Sequence, residues 1–255
     1  MKHVSLETPE ISRLGQIWTQ WWAVQIGASS TNTLQFLTSA EDYEENPDLS
    51  SKSVLMKSAS DIYSNAISRH RASGERLPSL IWLDGKSIVQ KSVFELGCGA
   101  GFTINKLGPL VKRSLGIDCS ELAIRLAKGG QTERSRFAHT SETILLRDIR
   151  GTFDSGFASL VFPFLNRENV ALLLGLAYQL LKKGGKFGAD FHFDDKPIPG
   201  AALGPSDPQD LNNCVRPVLF SAEEITELCE SVGFKVIEQR SVDAIKKRFV
   251  TIAKP

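Results

Sequence analysis

Hydrophobic positions divide the chain into two parts with different patterns. From Ser92 onward, short apolar runs alternate with helical patterns and glycine-bearing turns, which is typical of βαβ units around a mainly parallel sheet. The pattern predicts strands at Ser92–Leu96, Arg113–Ile117, Arg136–His139, Gly156–Phe162, Lys186–Phe193, Phe234–Gln239 and Arg248–Ala253, and helices at Thr103–Leu110, Ser120–Lys128, Arg167–Lys182 and Ala222–Val232. We therefore predict an α/β domain over residues 91–255.

Cap residues mark several ends of these helices. Ser221 with Glu224 fits a capping box at the start of the last helix. We expect Gly184-Gly185 to end one helix and Gly233 to end another, because glycine adopts the left-handed conformation of a helix C-cap.

The pattern of residues 1–90 predicts a helical cap or lid on this domain. Thr8 can cap the first helix and Pro9 suits its first turn. Its apolar side carries Ile11, Leu14, Trp18, Trp21 and Trp22. This side either packs on the main domain, forms an aromatic lid over a small-molecule pocket, or contacts a second subunit in a homodimer. We predict a second helix over 58–73, and an exposed loop at the acidic run Glu41–Asp48.

Composition narrows the function classes. The 255 residues carry 30 basic and 29 acidic side chains, a net charge of +1, so nothing favours nucleic acid or an anionic membrane as a partner. No apolar run approaches the roughly 18 residues of a membrane span, and the first residues lack a signal core; we expect a cytoplasmic protein. The four cysteines show no C-x-x-C spacing, and we expect no metal site.

The strongest chemical signal is the segment from Val93 to Phe102. An apolar strand runs into Gly97, Gly99 and Gly101 and then into a helix. Glycine permits a sharp turn and close approach of a ligand to the backbone, and the helix start offers free N–H groups. Spacing alone leaves the ligand open.

Two acids narrow the choice of ligand. Asp118 ends the second strand, about twenty residues after the glycine loop, where a carboxylate can bind ribose hydroxyls; capping the next helix is the alternative role, although Ser120 competes for it. Glu95 precedes the loop and suits a cationic amine better than a pyrophosphate. Phe102 also replaces the glycine of a dinucleotide fingerprint. These features favour S-adenosylmethionine, which carries an amine, a sulfonium, a ribose and an adenine.

The chain from about residue 92 to its end resembles the class I S-adenosylmethionine-dependent methyltransferases. The resemblance is carried by an ordered set of segments: Glu95–Gly101, Gly116–Ser120, Phe153–Val161, Leu180–Phe187 and Phe220–Phe234. It implies a Rossmann-like seven-stranded sheet, mostly parallel, with helices on both faces and the last strand antiparallel. It also implies that S-adenosylmethionine is bound by Glu95, Gly97, Cys98, Gly99, Gly101, Asp118, Cys119, Ser141, Glu142, Ala158 and Ser159, with Tyr63 near its methionine end.

Two departures from the family pattern affect the substrate. Ser141 stands where the family often has an acid for the adenine amine, so Ser141 or Glu142 is expected to contact adenine. Phe162-Pro163-Phe164 replaces the Asn/Asp-Pro-Pro-aromatic motif of base methylation. No carboxylate cluster in this region suits magnesium. Nucleic-acid and metal-dependent subclasses are therefore disfavoured, and a small-molecule acceptor is favoured.

The acceptor pocket is expected at the carboxyl ends of the strands. Strand alternation places Asp190, His192 and Asp194 on one face. His192, with Asp194, is the candidate general base for a hydroxyl or amine acceptor; packing beside the sheet is its alternative role. The loop 197–217 is a candidate closure over substrate.

The predicted function is metal-independent transfer of a methyl group to an oxygen or nitrogen atom of a small organic acceptor. An S-adenosylmethionine-binding protein without methyl transfer, either cyclase-like or a non-catalytic partner subunit, is the alternative. A nicotinamide-dependent oxidoreductase is a third interpretation.

Overall fold

The computed structural model describes residues 8–25, 89–142, 148–193, 218–242 and 247–255. Several sequence predictions fall outside these ranges: the second helix with Tyr63, the acidic run Glu41–Asp48, Asp194 and the loop 197–217. Only the first helix of the predicted cap, 1–90, is described, and the domain boundary near residue 90 stays a prediction.

One seven-stranded sheet forms the centre of the molecule, and its strand order is β3-β2-β1-β4-β5-β7-β6. The neighbouring pairs β1–β2, β1–β4, β2–β3 and β4–β5 are parallel, whereas β7 is antiparallel to both β5 and β6. The predicted Rossmann-like sheet with an antiparallel last strand is thus confirmed. The strands are β1 Ser92–Leu96, β2 Arg113–Asp118, β3 Ser135–His139, β4 Phe153–Ala158, β5 Leu181–His192, β6 Lys235–Val242 and β7 Lys247–Ala253.

Five α-helices accompany these strands in the described ranges: α1 Pro9–Gln25, α2 Phe102–Leu107, α3 Glu121–Gly129, α4 Arg167–Leu180 and α5 Ala222–Val232. Thr8 caps α1, since its Oγ1 accepts the Ile11 N–H at 3.1 Å. The predicted capping box of α5 is present, and Gly233 ends this helix with φ 101°. A membrane span would need a longer and more apolar helix than any that these residues form.

Several element boundaries differ from the sequence predictions, and two of the differences change how a segment is interpreted. Strand β4 ends at Ala158, and Phe162–Phe164 is a 3₁₀ helix with Pro163 in its first turn, so the predicted strand to Phe162 is wrong. Helix α4 ends at Leu180 in an extended cap at Leu181. Gly184 adopts φ 76° inside β5, and the predicted glycine cap at Gly184-Gly185 is therefore wrong.

Aromatic side chains fill the core on one side of the sheet. Phe94 packs against Phe153 and Phe187, with ring centroids 5.4 and 5.8 Å apart. Gly156 lies beneath Phe94, whose ring occupies the space a Cβ would need. Each fully buried Phe stabilises the fold by about 1.5–3 kcal/mol relative to an exposed one. The packed core holds the carboxyl ends of β1, β2, β4 and β5 in fixed relation, and the candidate site lies there.

Candidate active site

The loop after β1 is built from three glycines in the left-handed region. The φ angles of Gly97, Gly99 and Gly101 are 70°, 50° and 74°, which other residues adopt only with strain. A side chain at Gly97 would overlap Val161, and one at Gly101 would overlap Phe137. The loop is therefore locked against the segment after β4 on one side and against β3 on the other.

Asp118 joins this glycine loop to the end of β2. Its Oδ2 accepts the Gly99 N–H at 2.8 Å, and its Oδ1 accepts the Ser120 N–H at 2.8 Å. Ser120, not Asp118, caps α3, since Ser120 Oγ accepts the Ala123 N–H at 3.2 Å. The helix-cap role weighed for Asp118 thus belongs to Ser120, and ribose binding by Asp118 stays a prediction.

Glu95 places a second buried carboxyl group beneath the loop. The residue is 4% exposed, and its Oε2 has no hydrogen-bond partner among the described residues. Burial and the nearby Asp118 raise the pKa of Glu95 well above its usual range. Burial also raises the pKa of Asp118, opposed by the N–H groups of Ser120 and Gly99. Two buried acids with an orphan oxygen favour a ligand that brings a positive charge.

Two cysteines line the same loops without the properties of nucleophiles. Cys98 is buried, and its Sγ donates to the Gly99 carbonyl at 3.6 Å. Burial, with the charge of Asp118, raises the pKa of both the Cys98 and the Cys119 thiols. A thiol with a raised pKa is a poor nucleophile, and cofactor binding by Cys98 and Cys119 stays a prediction.

His139 organises the region after β3, where adenine contacts were expected. Its Nε2 donates to the Cys119 carbonyl at 2.9 Å. The proton is therefore on Nε2, and Nδ1 accepts the Ser141 N–H at 3.3 Å while lying 2.7 Å from Ser141 Oγ. Glu142 Oε1 accepts the His139 N–H at 2.9 Å. Ser141 and Glu142 are thus brought together beside the β2 loop, and adenine binding by either residue stays a prediction.

The segment after β4 is held in an unusual backbone turn. Ala158 is buried and Ser159 half-buried, and Leu160 has φ 58°, a conformation that costs a non-glycine residue about 1–3 kcal/mol. The Leu160 N–H donates to Asp190 Oδ1 at 2.7 Å. Sequence reasoning missed this bond, because its partners lie on different strands and no local motif signals it.

His192 ends β5 beside a buried ion pair. Lys247 Nζ lies 2.9 Å from Asp190 Oδ2, close enough for charge pairing. Burial, then the Lys247 charge, lower the pKa of the half-buried His192, and Asp190 opposes this shift. The imidazole is therefore neutral near pH 7, the form that accepts a proton. Its predicted partner Asp194 lies outside the described residues.

Helix α1 lies across the loops that form the site. Thr19 Oγ1 is 3.0 Å from Ser120 Oγ, and the Trp18 and Phe164 rings meet edge to face at 5.7 Å. A methyl group on Gly99 would come within 2.8 Å of Trp22 Cζ2. The apolar side of α1 thus packs on the main domain, directly over the candidate site.

These residues fit the cofactor that the family resemblance implies. The orphan oxygen of Glu95 lies beside the glycine loop without a hydrogen-bond partner among the described residues. The ends of β2 and β3 add Asp118 and the His139 network. The described ranges hold no group of three or more His, Cys, Asp or Glu side chains suited to a metal ion.

Comparison with known proteins gives one family match. Residues 94–189 match the family model described as a methyltransferase domain. Among curated proteins, no sequence matches the chain significantly.

Solved structures with this fold include methyltransferases and a cyclase. A TehB-like S-adenosylmethionine-dependent methyltransferase from Corynebacterium glutamicum is 16% identical with a TM-score of 0.55, over 78% of this chain and 100% of that one. An S-adenosylmethionine-dependent methyltransferase from Mesorhizobium loti is 18% identical with a TM-score of 0.53, over 69% and 96%. The cyclase SpnF is 16% identical with a TM-score of 0.55, over 71% and 81%. At these identities the likeness establishes the fold alone.

Proposed function

Because residues 94–189 form a methyltransferase domain of the class I S-adenosylmethionine-dependent family, we propose that this protein methylates an oxygen or nitrogen atom of a small organic acceptor. The observation that carries the proposal is the buried carboxyl oxygen of Glu95, which has no hydrogen-bond partner in the described part of the chain and lies beneath a glycine loop that Asp118 ties to β2. The predicted family is confirmed by the domain match, and with it the family's cofactor, S-adenosylmethionine.

Binding and orientation are the main tasks of the protein's own residues. The cofactor supplies a methyl group already activated on a sulfonium, so no metal is required. Glu95 faces a positive charge, Asp118 and the His139 network bind the nucleoside end, and the glycine loop admits the ligand to the backbone. Holding the acceptor in line with the methyl group can lower the barrier by several kcal/mol, up to roughly 7–11 in ideal cases.

His192 is the proposed base for an acceptor that carries a proton at working pH. It ends β5 at the carboxyl edge of the sheet, and its lowered pKa keeps the imidazole neutral. His192 would accept the proton of the acceptor hydroxyl or amine, while the cofactor, when bound, would give up its methyl group by cleavage of the carbon–sulfur bond and leave as S-adenosylhomocysteine. Asp194 follows two residues later and is proposed to assist.

A small acceptor suits the position of α1. Trp18 and Trp22 pack over the loops after β4 and β1, which leaves a covered site more suited to a small molecule than to a duplex. We extend this proposal to residues 1–90 as a cap and residues 91–255 as the catalytic domain. Tyr63 within this cap is proposed to approach the cofactor. We also propose, from the sequence analysis alone, a cytoplasmic location and a homodimer.

Calorimetric titration with S-adenosylmethionine and with S-adenosylhomocysteine tests the cofactor site. We expect micromolar binding of both, and its loss in Asp118→Ala. Asp154→Ala is the matched control, because Asp154 also accepts a backbone N–H, that of Ser92 at 2.8 Å, but is the second residue of β4, at the opposite end of the sheet. Absence of binding to the folded wild type would reject the proposal.

The alternative function is S-adenosylmethionine binding without methyl transfer. It is favoured by the shared fold of the cyclase SpnF. The half-buried position of His192 also agrees with a side chain that only packs beside the sheet and transfers no proton. A screen of small hydroxylated and amino acceptors separates the two functions. Formation of S-adenosylhomocysteine that depends on the acceptor supports methyl transfer, whereas tight cofactor binding with no such product supports the alternative.

A further inference from the structure

A buried ion pair lies against the segment after β4. Asp190 is fully buried and Lys247 nearly so, with side chains 1% and 13% exposed. Replacing such a pair by apolar residues is often neutral or stabilising, so stability alone does not account for it. Its specific effect is that Asp190 Oδ1 accepts the Leu160 N–H while Lys247 neutralises the other carboxylate oxygen.

The bond between the Leu160 N–H and Asp190 holds a left-handed backbone turn that, among the described residues of the site, no other non-glycine residue adopts. A positive φ at leucine persists only where the surroundings hold it, and Leu160 has φ 58°. The next residue, Val161, packs on Gly97 where a Cβ would overlap it. A continuous series of contacts thus runs from the ion pair through Leu160 and Val161 to the glycine loop.

We propose that Asp190 and Lys247 are positioning residues, which place the segment Ser159–Val161 against the glycine loop. This inference rests on the proposed function, since the segment matters only if cofactor and acceptor meet there. Neither residue needs to touch a ligand. Their effect passes through the Leu160 backbone.

Two variants test this role, one that removes the Asp190 carboxylate and one that restores an oxygen acceptor at this position. Asp190→Leu removes both the acceptor for Leu160 N–H and the charge. The double variant Asp190→Asn with Lys247→Met keeps a side-chain oxygen and leaves no orphan charge. We expect fast amide exchange at Leu160 and an S-adenosylhomocysteine Kd raised at least tenfold in Asp190→Leu, with both restored to within about threefold in the double variant.

The matched control is the ion pair Lys182–Asp154. It has the same 2.9 Å separation but lies at the opposite end of the sheet with side chains 47% and 29% exposed. Asp154→Asn with Lys182→Met should leave Leu160 exchange and the ligand Kd unchanged. If Asp190→Leu does not fold, Lys247→Met alone takes its place, since it leaves the Asp190 charge buried without a cation.

A folded Asp190→Leu variant, or Lys247→Met where it takes that place, with wild-type Leu160 protection and wild-type Kd would overturn the positioning role. Absence of S-adenosylhomocysteine binding by the wild type is a different result. It would reject the proposed function, and the positioning role that rests on it would fall too, even if Leu160 exchange changed as expected.

A separate observation concerns what covers the glycine loop. A glycine loop exposes backbone so that a ligand can approach, yet in this structure the indole of Trp22 lies against Gly99 and tilts on Phe102 at 6.1 Å. Helix α1 is fastened beside it by Thr19 and Ser120, whose hydroxyl oxygens are 3.0 Å apart. The Trp22 indole and a cofactor cannot both occupy this face of Gly99.

We infer that α1 is a gate, in which Trp22 withdraws from Gly99 when the cofactor binds. This inference also rests on the proposed function. Only molecules in which α1 is withdrawn can bind the cofactor, so the apparent affinity equals the intrinsic affinity multiplied by the fraction of such molecules. Trp22→Ala should therefore bind S-adenosylhomocysteine more tightly, by about threefold or more. Trp18→Ala is the control, since Trp18 packs on Phe164 instead of Gly99.

A disulfide that fastens α1 tests the gate in the opposite direction. Thr19→Cys with Ser120→Cys, in a Cys119→Ser background, can be closed by the thiol oxidant diamide, which takes up both hydrogens, and reopened with dithiothreitol. We expect the oxidised form to bind at least tenfold more weakly and the reduced form to recover. Weaker binding by Trp22→Ala, or equal binding by oxidised and reduced forms, would overturn the gate. Binding by no variant would instead reject the cofactor site itself.

Discussion

At the scale of single residues, Glu95 shows a conflict between stability and ligand binding. Its pKa is raised by burial, so the folded state holds this proton more tightly than the unfolded state. The resulting stabilisation is present below the ordinary carboxyl pKa and is lost as pH rises through the raised value. Glu95→Gln should therefore gain stability at neutral pH, by on the order of 1 kcal/mol or more, and gain little at pH 4.

Thermal unfolding at the two pH values, with calorimetry, measures both sides of this conflict. Glu95→Gln should also weaken S-adenosylmethionine binding, because a neutral amide no longer faces the ligand's cation. Glu121→Gln, on the exposed first turn of α3, is the control and should change neither quantity strongly. Equal stability of Glu95→Gln and wild type at neutral pH would contradict this account.

His192 carries a prediction about pH. Because burial and Lys247 lower its pKa below 6.5, the neutral base persists at lower pH than for a free histidine. Turnover should stay constant from pH 8 down to below 6.5 and then fall as the ring is protonated. His192→Gln should lower kcat by about a hundredfold and remove this acid limb, as measured by S-adenosylhomocysteine formation with an acceptor from the screen. An unchanged pH profile in the variant would exclude His192 as the base.

At the scale of elements, local signals decide the ends of α5 independently of the site. Ser221 Oγ accepts the Glu224 N–H at 3.1 Å, and Glu224 accepts the Ser221 N–H at 2.8 Å. Ser221→Ala should reduce the free energy of unfolding by about 1 kcal/mol, measured by urea denaturation, with no change in cofactor Kd. Ser231→Ala, an exposed serine of the same helix, should have a smaller effect. A large loss of cofactor binding in Ser221→Ala would show that α5 and the site are coupled.

The same local signals explain which elements the sequence predicts well. Strand β1 and helix α5 were predicted with their observed bounds, because an apolar run and a capping box are contained within each segment. The start of β5 was missed because the helical period of α4 runs on into Leu181, whereas Leu181 pairs with Phe153 of β4. The glycine loop and Asp118 lie in local motifs, but Lys247 meets Asp190 only through the antiparallel register of β5 and β7. Such contacts between distant segments leave no periodic trace in the sequence.

At the scale of the whole molecule, the strand order explains why one edge collects the chemistry. Strand β1 lies between β2 and β4. Successive strands are added on one side of β1 up to β3 and on its other side from β4 onward, and open α/β sheets bind ligands at the point where this order switches sides. The glycine loop, Asp118 and the segment after β4 therefore converge there, and α1 crosses above them. Neither this order nor the docking of α1 follows from the pattern of any one segment.

Binding at this convergence should stabilise the whole domain. A ligand at one hundred times its Kd adds about 2.7 kcal/mol of stability, which corresponds to roughly a 5–10 °C rise in Tm for a domain of this size. We expect S-adenosylhomocysteine to produce this rise in the wild type and not in Asp118→Ala. NADH serves as the comparison ligand, since a nicotinamide-dependent enzyme would be stabilised by it instead. A rise with NADH alone would assign the glycine loop to a dinucleotide, whereas a rise with S-adenosylhomocysteine alone ties the fold, the buried acids and the cofactor to one binding event.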